Sequence, residues 1–156
     1  KKSGINFISC PTENIYLEGR QDSYPKRRGL TRVKELHDQG INVCFAQDSM
    51  SDPWYPLGNG NMMMILDHGI HIAQMMSPEE IQDDLDLVTT NGAITMHIHD
   101  RYGIEEGKPA NSIVLDAKSE FDAICERADI LASVRKGEYL FQKEPAKVIG
   151  AIDLLK

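Results

Sequence analysis

The sequence has few cysteines and no long apolar run. Its 156 residues include three cysteines, Cys10, Cys44 and Cys125, without the spacing of a disulfide framework or a zinc knuckle. We expect them to be reduced thiols in a cytoplasmic protein. No stretch of eighteen consecutive apolar residues occurs, so the sequence predicts no membrane-spanning helix and no membrane partner.

Positive charge is also scarce. Lys and Arg total 17 against 24 Asp and Glu, which gives a formal net charge of −7. Nucleic acids and anionic membrane surfaces attract basic patches, so we expect neither as a partner. The glycine-rich phosphate loops and the Gly-x-Ser-x-Gly motif are missing as well, which argues against nucleotide binding and serine hydrolysis. The composition is otherwise typical of a globular domain.

The first part of the chain has the pattern of a strand, a helix and a second strand. Residues 5–10 and 41–46 are short β-prone apolar runs without clean alternation, typical of strands covered on both faces. Between them, Thr31 can cap a helix that ends before Gly40. This spacing predicts a βαβ unit with parallel strands, in which residues 12–30 form a long connection.

The rest of the chain is predicted to be helical first and richer in β-structure later. An apolar stripe over 62–76 indicates a helix, and Ser77-Pro78-Glu79-Glu80 is a capping-box start for a helix that carries Val88 inward and ends near Asn91-Gly92. Later segments are expected to form a short helix, a strand, a helix and a hairpin, over 93–96, 112–116, 119–127 and 130–141. We therefore expect an α/β part over 1–100 and a smaller β-containing part over 101–156.

Acidic and polar residues follow both predicted strands, at Cys10-Pro11-Thr12-Glu13-Asn14 and at Gln47-Asp48-Ser49. The carboxyl ends of parallel strands share one edge of the sheet, where functional groups gather. Asp48 is the best candidate because a charge at the end of a buried strand needs compensation. The alternative is that Asp48 only caps the following loop through an Asx-turn.

The loop after Asp48 carries Trp54, the only tryptophan, between Asp52-Pro53 and Tyr55-Pro56. An aromatic side chain on a proline-stiffened loop can cover a planar ligand, although such a residue also commonly packs its own loop. His97-Ile98-His99 has the spacing of two metal ligands on a strand. Its position beside Asp100-Arg101 favours a solvated helix end instead.

Several stretches resemble the C-terminal part of a bacterial cytosine deaminase of the amidohydrolase superfamily. The most specific is Asp52-Pro53-Trp54-Tyr55-Pro56-Leu57-Gly58, preceded by Asp48. Tyr24 to Glu35 and Gly40 to Phe45 carry the resemblance upstream, and the segments between Thr90 and Asp116 carry it downstream.

The resemblance implies a metal-dependent (β/α)8 barrel, of which residues 5–10 and 41–48 would be the seventh and eighth strands. Part of a small β-sandwich-like domain would follow over 101–156. Asp48 would bind a divalent metal, Fe²⁺ or Zn²⁺, and accept the proton of the attacking water, whereas Trp54, Ser49 and Asp52 would bind the substrate. The implied activity is hydrolytic deamination of cytosine or a close cyclic amidine, with release of ammonia.

The sequence also departs from the family pattern. The histidines and the glutamate that complete the family's metal site have no counterpart after Lys1, so we expect the chain alone to be inactive and to associate into homo-oligomers. Ser49 stands where the cytosine enzymes have an acid, which leaves 5-methylcytosine, creatinine and isoguanine open as substrates. A non-catalytic binding or assembly module is the alternative from another functional class.

Overall fold

The structure, a computed structural model, describes residues 2–147. Its first half contains strand β1 (Phe7–Ser9), helix α1 (Pro11–Leu17), helix α2 (Val33–Asp38) and strand β2 (Val43–Phe45). Helix α1 lies inside the segment that we expected to be a long connection. Pro11 starts this helix, since its missing N–H and its fixed φ suit the first helical position.

The two strands of the first half pair in parallel, as predicted. Phe7 lies opposite Val43 and Ser9 opposite Phe45, and the N–H of Ala46 donates to the carbonyl of Ser9 at 2.9 Å. All of β2 is buried, but Phe7 and Ile8 are exposed. The expectation that β1 is covered on both faces is therefore wrong for the described residues. Self-association through this open side stays a prediction.

Helix α3 (Met62–Ala73) is the longest helix described, and it covers β2. Asn61 caps its start by accepting from the N–H groups of Met63 and Met64. Gly69 brings the helix close to the sheet, because a Cβ at this position would lie 2.5 Å from the ring of Phe45. The apolar stripe predicted from the sequence is the face that enters the core.

The helix predicted from Ser77 to about Asn91-Gly92 is not continuous, and its predicted end is wrong because a separate helix runs through those two residues. Its start is as predicted: Ser77 and Glu80 form a complete capping box at helix α4 (Pro78–Ile81). A 3₁₀ segment (Asp84–Val88) then replaces the remainder and buries Asp84 and Leu87. Helix α5 (Thr90–Thr95) follows and packs against β2.

The C-terminal part holds an antiparallel sheet of β3 (Ser112–Leu115), β4 (Ile130–Arg135) and β5 (Glu138–Gln142), with the predicted turn between β4 and β5. Helix α6 (Glu120–Cys125) lies between β3 and β4 in the chain and packs on α3. Its Ala123 and Ile124 belong to the same apolar core as Val43 and Leu66. The division at residue 100 stays a prediction, because the two parts share this core.

The fold class is thus α/β, with one parallel strand pair and one separate antiparallel sheet. Over residues 2–147 the strands do not close into a barrel. Within the same range, no helix is both long and apolar enough to cross a membrane.

Candidate active site

The parallel pairing brings the segments that follow β1 and β2 to one edge of the sheet. Cys10 to Glu13 leave β1 there and begin α1, while Gln47 to Ser49 leave β2. Burial raises the pKa of the Cys10 thiol, and the nearby charges of Asp48 and Glu13 raise it further. The same edge therefore holds a thiol and two carboxylates.

Asp48 and Ser49 differ in their exposure and in their partners. Asp48 is exposed, and its carboxylate has no hydrogen-bond partner within residues 2–147. Ser49 is buried, and its hydroxyl donates to Oε1 of Glu13 at 3.1 Å. The burial cost expected of a charge at this strand end does not arise, because β2 ends at Phe45 and Asp48, three residues later, is exposed.

The Asx-turn considered for Asp48 occurs at Asp52 instead. Oδ1 of Asp52 accepts from the backbone N–H groups of Trp54 at 2.9 Å and Tyr55 at 3.0 Å. These bonds, with that of Tyr55 foremost, hold the pKa of the Asp52 carboxyl below its ordinary value. Asp48 is thus free of the loop-capping role, and its carboxylate is available to a ligand.

Trp54 lies on a loop that is held by contacts at several of its residues. Ser51 donates through its hydroxyl to the carbonyl of Gly58 at 3.0 Å, and the ring of Tyr55 meets that of Tyr16 edge-on with centroids 6.0 Å apart. Gly58 is required because a Cβ there would lie 2.0 Å from the Ser49 carbonyl oxygen. Trp54 itself is 65% exposed, so it does not serve to pack this loop down.

Glu13 is a site residue that sequence reasoning did not single out. It is 6% exposed, although it lies in the first turn of α1. Its Oε2 finds no hydrogen-bond partner in the described part of the chain, and neither do the buried hydroxyls of Ser9 and Thr12. The sequence signal for Glu13 is its position three residues after Cys10, where β1 has ended and α1 begins. Helix α1 was not predicted from the sequence, so this signal was not used.

Asp48 fits a metal site as one oxygen ligand, because it is an exposed carboxylate just after β2 that has no partner among the described residues. Residues 2–147 contain no group of three or more His, Cys, Asp or Glu side chains that could hold a metal ion. Such sites normally take three or more protein ligands. His97 and His99 are both exposed at the end of α5 and the turn after it, as the sequence favoured.

Comparisons with known proteins identify the family of the chain. The amidohydrolase family matches residues 2–139, and the chain belongs to that family. It is 54% identical to a 5-methylcytosine deaminase from Klebsiella pneumoniae, whose structure with 5-fluorocytosine superposes with a TM-score of 0.91. That match covers 95% of this chain and 36% of the other.

Two curated relatives are more distant. The N-isopropylammelide isopropyl amidohydrolase of Pseudomonas sp. (strain ADP) is 30% identical over 92% of this chain, and the pterin deaminase of Rhizobium rhizogenes is 26% identical over 92%. The chain spans about a third of the length of these relatives, 32% and 33% respectively.

Proposed function

We propose that the chain is the C-terminal part of a metal-dependent deaminase that acts on cytosine or 5-methylcytosine. The observation that carries this proposal is the position of Asp48, which follows β2 by three residues, is exposed, has no partner within residues 2–147 and lies beside a loop that presents Trp54. The 54% identity to a 5-methylcytosine deaminase supports the substrate class. We infer that β1 and β2 are the seventh and eighth strands of a (β/α)8 barrel.

The chemistry assigned to Asp48 follows from its carboxylate. A divalent cation, Fe²⁺ or Zn²⁺, would supply a water whose pKa is lowered towards neutrality. Asp48 would provide one oxygen ligand and would accept the proton of that water as a general base. Its exposure at the strand end leaves the carboxylate open to both tasks.

Substrate binding is assigned to the two segments beside Asp48. The Trp54 ring would cover one face of the pyrimidine, on a loop held by the carboxylate of Asp52. Asp52 would thus contribute to substrate binding by holding the loop that carries Trp54. Ser49 would line the site at the position next to Asp48. A serine is smaller than an acid and carries no charge, which favours a ring with an apolar substituent. Besides cytosine, 5-methylcytosine, creatinine and isoguanine therefore stay candidate substrates.

The test is ammonia release by the full-length protein that carries this chain, with Fe²⁺ or Zn²⁺ added, from cytosine, 5-methylcytosine, creatinine and isoguanine. We expect turnover of a pyrimidine and its loss by roughly 10²–10⁴-fold in Asp48→Ala. Asp100→Ala, another exposed aspartate, is the matched control and should keep full activity. Equal turnover by Asp48→Ala and the wild type would refute the assignment.

A further inference from the structure

A buried hydrogen bond connects the two segments that meet at the site. Glu13 leaves β1 and Ser49 leaves β2, and the Ser49 hydroxyl donates its proton to Oε1 of Glu13 at 3.1 Å. Both side chains are buried, at 6% and 8% exposure. The contact therefore forms away from solvent, where a hydrogen bond fixes the orientation of its partners.

The hydroxyl of Ser49 has one proton to give. A serine hydroxyl combines a single donor with two acceptor lone pairs. Glu13 accepts that proton in the structure. The backbone N–H of Tyr55 and, less strongly, the Ser49 hydroxyl lower the pKa of the Asp52 carboxyl, which is a second acceptor on the protein. Ser49 therefore has no proton left for a ligand and offers only its lone pairs and its methylene group. Ser49 then has no hydrogen bond to donate to an acceptor atom of a ligand, but a methyl group of the ligand can lie against it.

Glu13 depends on this bond as well. Its other oxygen, Oε2, is buried and has no partner in the part of the chain that the structure describes. A buried carboxylate with an unpaired oxygen is costly, so the position of Glu13 needs an explanation beyond packing. The side chain is not explained by helix capping either, because Glu13, in the first turn of α1, accepts from the Ser49 hydroxyl and from no backbone N–H within residues 2–147.

We propose that Glu13 is a positioning residue for substrate specificity: by accepting the Ser49 proton, it keeps the hydroxyl turned away from the substrate. This inference rests on the proposed deaminase function and goes beyond it. The expected consequence is a site wall at position 49 that accepts the methyl group of 5-methylcytosine. Without Glu13 the Ser49 hydroxyl loses this acceptor and can rotate towards the pyrimidine ring. A polar hydroxyl there disfavours the substrate that carries a methyl group.

The test measures kcat/KM for 5-methylcytosine and for cytosine in the full-length protein, and takes their ratio. In Glu13→Met, which has no acceptor, the ratio should fall about tenfold. In the Ser49→Ala background there is no hydroxyl to hold, so Glu13→Met should leave the ratio unchanged. Glu13→Gln retains an acceptor oxygen and should stay within about twofold of the wild type.

The outcomes separate the two hypotheses. A wild type that turns over neither pyrimidine overturns the proposed function and this inference with it. Two results overturn the inference alone, provided that both pyrimidines are turned over. In one, Glu13→Met lowers the kcat/KM ratio equally in the wild-type and Ser49→Ala backgrounds. In the other, Glu13→Met does not change the ratio. If Glu13→Met does not fold by itself, its combination with Ser49→Ala removes both polar partners at once. A kcat/KM ratio in this double variant that differs from the ratio in Ser49→Ala also overturns the inference.

Discussion

Asp67 and Arg127 join the two parts of the chain by a two-pronged ion pair. Nε of Arg127 donates to Oδ2 of Asp67 at 3.1 Å, and Nη2 donates to Oδ1 at 3.0 Å. Asp67 lies on α3, and Arg127 follows α6, which packs on α3. The pair therefore fixes α6 at its C-terminal end, beside the buried Ala128.

Arg127→Met should lower the free energy of unfolding by about 0.5–1 kcal/mol, since one partner of the pair is solvent-exposed. Arg127→Lys should recover only part of this loss, because an ammonium group cannot bond both carboxylate oxygens in the same geometry. Urea unfolding is the measurement, with Asp67→Asn completing a double-mutant cycle. Additive effects of the two substitutions would show that the pair contributes nothing.

The cap at Asp52 predicts how Trp54 behaves in solution. Asp52→Ala removes the acceptor for two backbone N–H groups, so the loop should loosen and the fluorescence anisotropy of Trp54 should decrease. Trp54 is the only tryptophan, which makes its emission specific to this loop. Asp52→Asn keeps a side-chain oxygen and is the matched control. Unchanged anisotropy in Asp52→Ala would show that other contacts hold the loop.

The buried Asp84 predicts a stability that declines as the pH rises. Burial, and then the charges of Glu80 and Asp83, raise the pKa of this carboxyl from 3.8 to about 7. Between these values the folded state holds a proton that the unfolded state has released. Stability therefore falls with increasing pH, by at most about 1.4 kcal/mol per unit.

Asp84→Asn has no such charge to bury. Relative to the wild type, its free energy of unfolding should be unchanged near pH 4, should rise towards pH 7 and should level off above it. Urea unfolding across this range measures the difference. Asp86→Asn, an exposed neighbour, is the control and should show no such trend. A constant difference between Asp84→Asn and the wild type at all pH values would contradict the raised pKa.

Local signals predicted the local structure well. The capping box at Ser77 and the C-terminal glycine of α2 depend on residues within one turn, and both are present: Glu80 completes the box and Gly40 adopts a φ of +61°. The break after Ile81 was not predictable in this way. The apolar pattern continues through Leu85 and Val88, but the 3₁₀ segment in which Asp84 is buried packs on α3 and β2, which lie earlier in the chain.

The site shows the same limit. The parallel strands located its edge, because both strand ends must meet there. The roles given to Asp48 and Trp54 came from family resemblance and stay predictions. The direction of Ser49 could not be predicted from its neighbours, because its partner, Glu13, lies 36 residues earlier in the chain.

Two glycines in helices predict opposite effects of the same substitution. Gly69→Ala would place a Cβ 2.5 Å from the Phe45 ring, so α3 must move away from β2, and the free energy of unfolding should fall by about 1–3 kcal/mol. Gly92 on α5 has nothing within 4 Å of an added Cβ. Gly92→Ala should therefore raise stability by about 0.5–1 kcal/mol through helix propensity.

Urea unfolding of both variants gives the comparison, and Phe45→Leu provides the structural test. The smaller side chain makes room for the new methyl group, so the combination with Gly69→Ala should lose less stability than the sum of the two single substitutions. Gly92→Ala and Phe45→Leu should instead be additive. If Gly69→Ala and Phe45→Leu were additive too, the close approach of α3 to β2 at this glycine would not be the cause of the loss.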